Sequence, residues 1–245
     1  MKVLLTIAYV GTAYCGWQVQ KNGKSVQEAL QDGVTQTFGK RYPVTGCSRT
    51  DSGVHARGFK CTVDLDEQAP RIPADKIPIA LNTKLPDDIS VLKAEYVSDD
   101  FHARYSVKSK RYEYVIHNSA VKDPFLSGRA WRVPQHLDEQ VMNEAAKSFI
   151  GTHNFTSFRA AGSDVPDSVR TVFDASVRRD GELIIFSVSA DGFLYNMVRI
   201  MAGTLVDVAR GTLTEPISKI IAEQNRAKAG QTAPPDGLTL AEVLY

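Results

Sequence analysis

Residues 47–58 read Cys-Ser-Arg-Thr-Asp-Ser-Gly-Val-His-Ala-Arg-Gly, the most unusual stretch of the 245-residue chain. One carboxylate, Asp51, stands between Arg49 and Arg57, with Ser48, Thr50 and Ser52 around it and His55 four residues on. Gly53 and Gly58 give the backbone freedom. A carboxylate in such a setting can act as nucleophile, general acid or base, or metal ligand. A solvated turn is the plain alternative, because Asp, Ser and Gly favour turns. Arg49 and His55, close by in a run of small residues, weigh against the plain turn.

Three specific chemistries can be weighed. Asp51-Ser52-Gly53 has the form of an aspartic-protease triplet, where two carboxylates share one proton. Such a site wants apolar residues before the Asp, and here stand Ser48, Arg49 and Thr50, with no second triplet in the chain. Cys47, His55 and Cys61 could bind zinc, but the spacing fits no short motif and a fourth ligand is missing. Cys47 and His55 could form a thiol–base pair, yet nothing else supports it, and a lone cysteine is more often a packing residue.

Alternating and helical patterns name the elements that must hold this loop. Val3, Leu5, Ile7 and Tyr9 alternate as a strand. Gly11 and Gly16 bracket a loop with Tyr14, and Trp17 follows. Ser25 and Glu28 have capping-box spacing, Val26, Ala29, Leu30, Val34 and Phe38 recur at helical spacing, and Gly39 ends the helix. Residues 59–65 read as a strand, and 76–82 as a short helix in the Pro-rich stretch 70–86. In the second half Tyr112, Tyr114 and Ile116 mark a strand face. Asp138 caps a helix carrying Val141, Ala145 and Phe149, closed by Gly151. Residues 183–190 form another strand, and Met197, Met201, Leu205 and Val208 a helical stripe ended by Gly211, with Arg199 opposite it. Residues 231–237 are a loop before a short C-terminal strand. Strand, helix, strand, helix in each half predicts an α+β protein with antiparallel sheets, divided as 1–105 and 106–245.

Composition narrows the class. The three cysteines argue against a disulfide framework and for a reducing compartment. No stretch approaches the roughly 18 apolar residues of a membrane helix, so a cytoplasmic protein without membrane contact is expected. A formal net charge of +1 gives no global attraction to nucleic acid, so an anionic partner needs local clustering. Between His102 and Arg132 the cations Arg104, Lys108, Lys110, Arg111, Lys122, Arg129 and Arg132 face only Glu113 and Asp123. A solvated face is the usual meaning of such a run; beside the Tyr112 strand it also suits phosphate binding, which Lys21 and Lys24 near Trp17 could extend.

The stretch around Asp51 resembles the catalytic motif of the tRNA pseudouridine synthase A family, Gly-Arg-Thr-Asp-Ala-Gly-Val-His-Ala, with Ser48 for the first Gly and Ser52 for the Ala. Further blocks are similar in the same order: Tyr14-Cys15-Gly16-Trp17-Gln18, Phe101-His102-Ala103-Arg104, Lys110-Arg111-Tyr112-Glu113-Tyr114, Phe155-Thr156-Ser157-Phe158 and residues 192–199. The resemblance implies two ferredoxin-like, RRM-like α/β halves around a central basic cleft, the pseudouridine synthase fold. It implies a homodimer holding one tRNA across both subunits, and no cofactor. The implied reaction isomerises uridine at positions 38, 39 and 40 of the anticodon arm.

By resemblance Asp51 is the nucleophile, attacking either the uracil ring or C1′. Arg199 keeps it ionised against the rise that desolvation would cause. Tyr112 lies against the target uracil, and Arg49 helps hold the nucleotide flipped out of the stack. His55 orients the loop or moves a proton; Arg104, Lys108, Lys110, Arg111 and Lys21 contact the RNA. The alternative is a non-catalytic RNA-binding protein on a related fold, which would not need Asp51 together with Arg49 and Arg199.

Overall fold

The computed structural model describes residues 1–21, 23–162 and 166–245 and divides them into two compact units. One comprises Met1–Lys108 with Leu240–Tyr245, the other Ser109–Thr239.

The first unit runs β1 (Lys2–Tyr9), α1 (Val26–Phe38), β2 (Val44–Gly46), β3 (His55–Asp64), α2 (Ile77–Asn82) and β4 (Ile89–Val97). Antiparallel β1 is flanked by β4 and β3, with Leu5 opposite Cys61 and Ile7 opposite Phe59; β2 also pairs with β3. The alternation of β1 has its expected effect: Val3, Leu5, Ile7 and Tyr9 are all buried. Ser25 caps α1 by accepting the Glu28 N–H at 3.2 Å. Gly39 ends it in the left-handed region at φ 83°, donating its N–H to the Thr35 carbonyl. The core joins Leu5, Ile7, Leu30, Phe59, Ile77 and Leu81, all fully buried. Each such side chain contributes about 1.5–3 kcal/mol of apolar burial. β3 begins at His55, earlier than the strand expected from residue 59, because pairing with β1 extends to Tyr9 opposite Ala56.

The second unit runs β5 (Ser109–His117), β6 (Trp131–Arg132), α3 (Glu139–Lys147), β7 (Gly151–Asn154), β8 (Val169–Asp180), β9 (Leu183–Ala190), α4 (Met197–Ala209) and α5 (Ile217–Glu223). β5, β9, β8 and β7 neighbour one another in that order, all antiparallel; β6 pairs with β5 in parallel. Tyr112, Tyr114 and Ile116 face the same side of β5 and are buried, and Tyr114 lies opposite Phe186 of β9. Phe149, Phe155, Phe158 and Phe186 form an aromatic core, with Phe149 edge-on to Phe158 at 5.1 Å. β10 (Leu238–Leu244) closes the chain, and its last residues neighbour β3 in the first unit.

Two helix faces differ from expectation. In α3 the buried residues are Met142 and Ala146, continued by Phe149, while Val141 is 44% exposed. Starting the period at Val141 rotates the apolar face by one residue, and Met142 is the better anchor because the aromatic core lies on its side. In α4 burial is not a stripe: Val198, Ile200, Ala202, Gly203, Thr204 and Val206 are buried beside Met197, Met201 and Leu205, whereas Val208 is only half-buried. No helix among the described residues is long and apolar enough to cross a membrane.

Candidate active site

Asp51 lies in the connection between β2 and β3, half-buried, in a turn closed by the Val54 N–H donating to the Asp51 carbonyl at 3.2 Å. The turn is fastened to residues 9–17. The Gly53 N–H donates to the Tyr14 carbonyl at 3.3 Å, and the Trp17 N–H to the Thr50 carbonyl at 3.2 Å. Ser52 Oγ donates to the same Tyr14 carbonyl, and Tyr9 Oη meets Thr50 Oγ1 at 2.9 Å. Two glycines make the approach possible. A Cβ on Gly11 would stand 2.0 Å from the Val54 carbonyl oxygen. One on Gly16, whose φ is +98°, would stand 2.5 Å from that of Thr50. Tyr14-Cys15-Gly16-Trp17 and the Asp51 loop, separate motifs in the sequence, are therefore one local structure.

Side chains below the loop keep that arrangement rigid. Tyr14 donates its hydroxyl to Asp88 Oδ1 at 2.6 Å, and burial, reinforced by that carboxylate, raises its pKa above the phenolic range. Trp17 stacks on Phe59 at 4.1 Å. His55 is buried and accepts the Gly11 N–H on Nδ1 at 2.9 Å, so the proton of the neutral ring sits on Nε2. This bond ties the start of β3 to the turn after β1. It also occupies one nitrogen that a zinc site or a thiol–base pair would want. Burial, with Cys47 as a lesser cause, pushes the Cys61 thiol well above its usual range, and a protonated thiol is a poor ligand. Among the described residues no three His, Cys, Asp or Glu gather as a metal site. Arg49 is exposed on the same loop.

The second unit holds the other expected groups. Tyr112 is 7% exposed, and its ring meets Phe193 edge-on at 5.1 Å. Arg199, in the first turn of α4, is half-buried rather than on a solvated face. Its Nε donates to the Ala233 carbonyl at 2.8 Å and its Nη1 to Asn196 Oδ1 at 2.7 Å. Asn196 precedes the helix in the left-handed region at φ 59°, which turns its side chain back onto that guanidinium. Tyr114, fully buried, donates its hydroxyl to the Pro234 carbonyl at 2.7 Å. Its pKa is raised by burial, against the opposing charge of Arg199.

The basic residues are distributed over both units. Lys21, Arg104 and Lys108 are exposed in the first, with the Arg104 guanidinium over the Tyr105 ring at 5.9 Å. Lys110 and Arg111 are half-buried in the second, where Arg111 Nη1 bonds Glu113 Oε1 at 3.2 Å. No spacing rule links a loop to a helix 34 residues earlier, so the sequence does not announce the contact of Ala233 with Arg199.

A family model described as tRNA pseudouridine synthase matches residues 5–106 and 145–245. Asp51, Arg49, His55, Arg104 and Arg199 fall in the matched stretches; Lys108, Lys110, Arg111 and Tyr112 fall between them. The chain is similar along its length to proteins named tRNA pseudouridine synthase A. That of Ruminiclostridium cellulolyticum is 46% identical over 246 residues, covering 100% of this chain and 99% of the relative. Those of Acetivibrio thermocellus and a Thermoanaerobacter species are 44% and 43% identical, each match covering 99% of both chains. Among solved structures, one chain of a Cbf5-Nop10-Gar1 complex is similar at a TM-score of 0.34 and 10% identity. That match covers 97% of this chain but only 57% of the other, and at that score it carries neither fold nor function.

Proposed function

We propose a mechanism for a chain that belongs to the tRNA pseudouridine synthase family and so isomerises uridine to pseudouridine in tRNA: Asp51 supplies the nucleophile. The alternative of a non-catalytic RNA-binding protein on a related fold is not favoured by that membership. The reaction breaks the bond from ribose C1′ to uracil N1, joins C1′ to C5, moves a proton off C5 and leaves one on N1. No electrons are gained or lost, so the mechanism calls on no redox cofactor.

The observation that carries the reading is how Asp51 is held. Its loop is fastened through main-chain groups of Tyr14, Trp17, Thr50 and Gly53, so the backbone sets where this short side chain stands. Asp51 attacks the uracil ring or C1′. Arg199, whose Nε and Nη1 are already directed by Ala233 and Asn196, keeps Asp51 ionised. Tyr112 stacks on the uracil, and Arg49 holds the nucleotide out of the helix, where flipping costs a few kcal/mol. His55 keeps the loop in register. Arg104, Lys108, Lys110, Arg111 and Lys21 bind phosphates of the anticodon arm, with uridines 38, 39 and 40 as targets. The tRNA lies across a homodimer in the cytoplasm; resemblance alone supports these last points, and sedimentation with and without tRNA tests the dimer.

Single-turnover tritium release from C5-labelled uridine in tRNA, beside filter binding, tests the nucleophile. Asp51→Asn keeps shape and removes charge. It should bind tRNA at least as well as the parent, and its turnover should fall by several orders of magnitude. Turnover within about tenfold of the parent, about 1.4 kcal/mol in the barrier, would rule Asp51 out as the nucleophile.

A further inference from the structure

Residues 230–234, Gly-Gln-Thr-Ala-Pro, belong to no helix or strand, yet they are fastened to α4 along their length. The Gly230 N–H donates to Thr204 Oγ1 at 3.0 Å. Asp207 accepts twice from Gln231, its main-chain N–H at 3.1 Å and its side-chain Nε2 at 2.9 Å. A Cβ on Gly203 would stand 1.9 Å from the Gln231 carbonyl oxygen, so the segment lies directly on the helix backbone. Arg226 grips the segment as well. Its Nη1 donates to the carbonyls of Ala229 and Gly230 at 3.3 and 2.9 Å, and its Nη2 to Thr232 Oγ1 at 3.0 Å.

The far end of the segment reaches both elements that carry reactive groups in this unit. Ala233 and Arg199 clasp each other: the Ala233 N–H donates to the Arg199 carbonyl at 3.1 Å, and Arg199 Nε to the Ala233 carbonyl at 2.8 Å. The next carbonyl, Pro234, accepts the hydroxyl of Tyr114, which is on the same face of β5 as Tyr112 and about 7 Å along it. An arginine side chain has many rotamers, but a guanidinium bonded at Nε has its plane fixed. We infer that residues 230–234 are a positioning strap: Asp207 and Arg226, acting through it, set the direction of the Arg199 guanidinium relative to the strand bearing Tyr112. This rests on the reading of Arg199 as the group that keeps Asp51 ionised. Asp207 and Arg226 are positioning residues that need not touch the RNA.

Single-turnover tritium release and tRNA affinity on the full chain separate this role from a merely structural one. Asp207→Ala should slow turnover by about tenfold to a hundredfold, as expected when a reacting group is displaced by about 1 Å, with tRNA affinity within about threefold of the parent. Gln231→Glu, which sets two carboxylates against each other, should do the same. The pair Asp207→Asn with Gln231→Glu reverses the side-chain bond, amide donor to carboxylate, and should recover most of the rate. In an Arg199→Ala background, Asp207→Ala should add little, because the group it positions is gone. Rates near the parent's in Asp207→Ala and Gln231→Glu, no recovery in the pair, or losses that multiply with Arg199→Ala would each overturn the strap. Should Asp207→Ala fail to fold, Gln231→Glu and its rescue decide the matter. Arg199→Ala at the parental rate would overturn the reading of Arg199, and the strap with it.

Discussion

In the first unit the Val54 carbonyl occupies the space a side chain on Gly11 would need, 2.0 Å from its Cβ position; in the second the Gln231 carbonyl does the same on Gly203 at 1.9 Å. Each unit thus seats an irregular segment on a glycine, but what fastens the segment differs. Around Asp51 backbone pairs tie the loop down, from Gly53 to Tyr14 and from Trp17 to Thr50, joined by bonds of the Ser52, Tyr9 and His55 side chains. Around Arg199 one backbone bond, from Ala233 to Arg199, is joined by side-chain bonds: Asp207 to Gln231, Arg226 to Thr232, and the Arg199 guanidinium to Ala233 and Asn196. The difference follows from the groups being held. A short carboxylate goes where its backbone goes, so fixing the loop fixes the charge. A long guanidinium does not, and needs bonds at its own nitrogens.

That contrast ranks the variants. Asp51→Asn marks the largest loss because it removes the reacting group while leaving the backbone clamp intact. Gly11→Ala comes next: the new methyl must displace Val54, which closes the Asp51 turn. Overpacking of this kind costs about 1–3 kcal/mol of stability. Turnover should fall by about a hundredfold, since misplacement by about 1 Å has that effect. A protein that melts several degrees lower yet turns over at the parental rate would show that the clamp does not position Asp51.

His55→Leu against His55→Asn probes the same clamp more gently. Leu leaves the buried Gly11 N–H without its acceptor, a loss of about 1–3 kcal/mol, whereas Asn can offer an oxygen near the place of Nδ1. The Leu variant should melt lower and turn over more slowly, and the Asn variant should recover part of both. Equal behaviour of the two would mean that ring packing, and not the Gly11 bond, is what matters.

Tyr112→Phe keeps the ring that meets Phe193 and removes only the hydroxyl. If stacking is the role of Tyr112, turnover should stay within about tenfold of the parent. A larger loss with unchanged tRNA affinity would assign proton transfer to the hydroxyl. The smallest effect expected on chemistry is that of Lys110→Ala with Arg111→Ala. Affinity for tRNA should weaken, and the slope of log affinity against log salt should flatten by about 0.7–0.9 for each phosphate that the protein no longer neutralises. An unchanged slope would move phosphate binding to other cations.

Legibility followed the strength of the local pattern. β1, α1, β5 and β9 were readable because burial on one face imposes a clean period and Ser25 and Gly39 mark the ends of α1. β4 and β8 were not read. β4 carries exposed Leu92 and Lys93 in mid-strand, and in β8 the register shifts between Val172 and Asp174 with Phe173 exposed, so neither alternates cleanly. α4 read as a stripe because four of its apolar residues recur at helical spacing, although neighbours cover nearly all its sides.

What the sequence determined by itself was the chemistry on offer and the family. Asp51 among small residues, and motif blocks in a fixed order, are local in the chain and survive without coordinates. Only the tertiary structure decided that Tyr14 to Trp17 and Asp51 form one clamp, that His55 accepts from Gly11, and that Ala233 clasps Arg199. Those bonds join residues tens of positions apart through backbone carbonyls and amides. Every residue carries such groups, so no side-chain pattern announces which of them will meet.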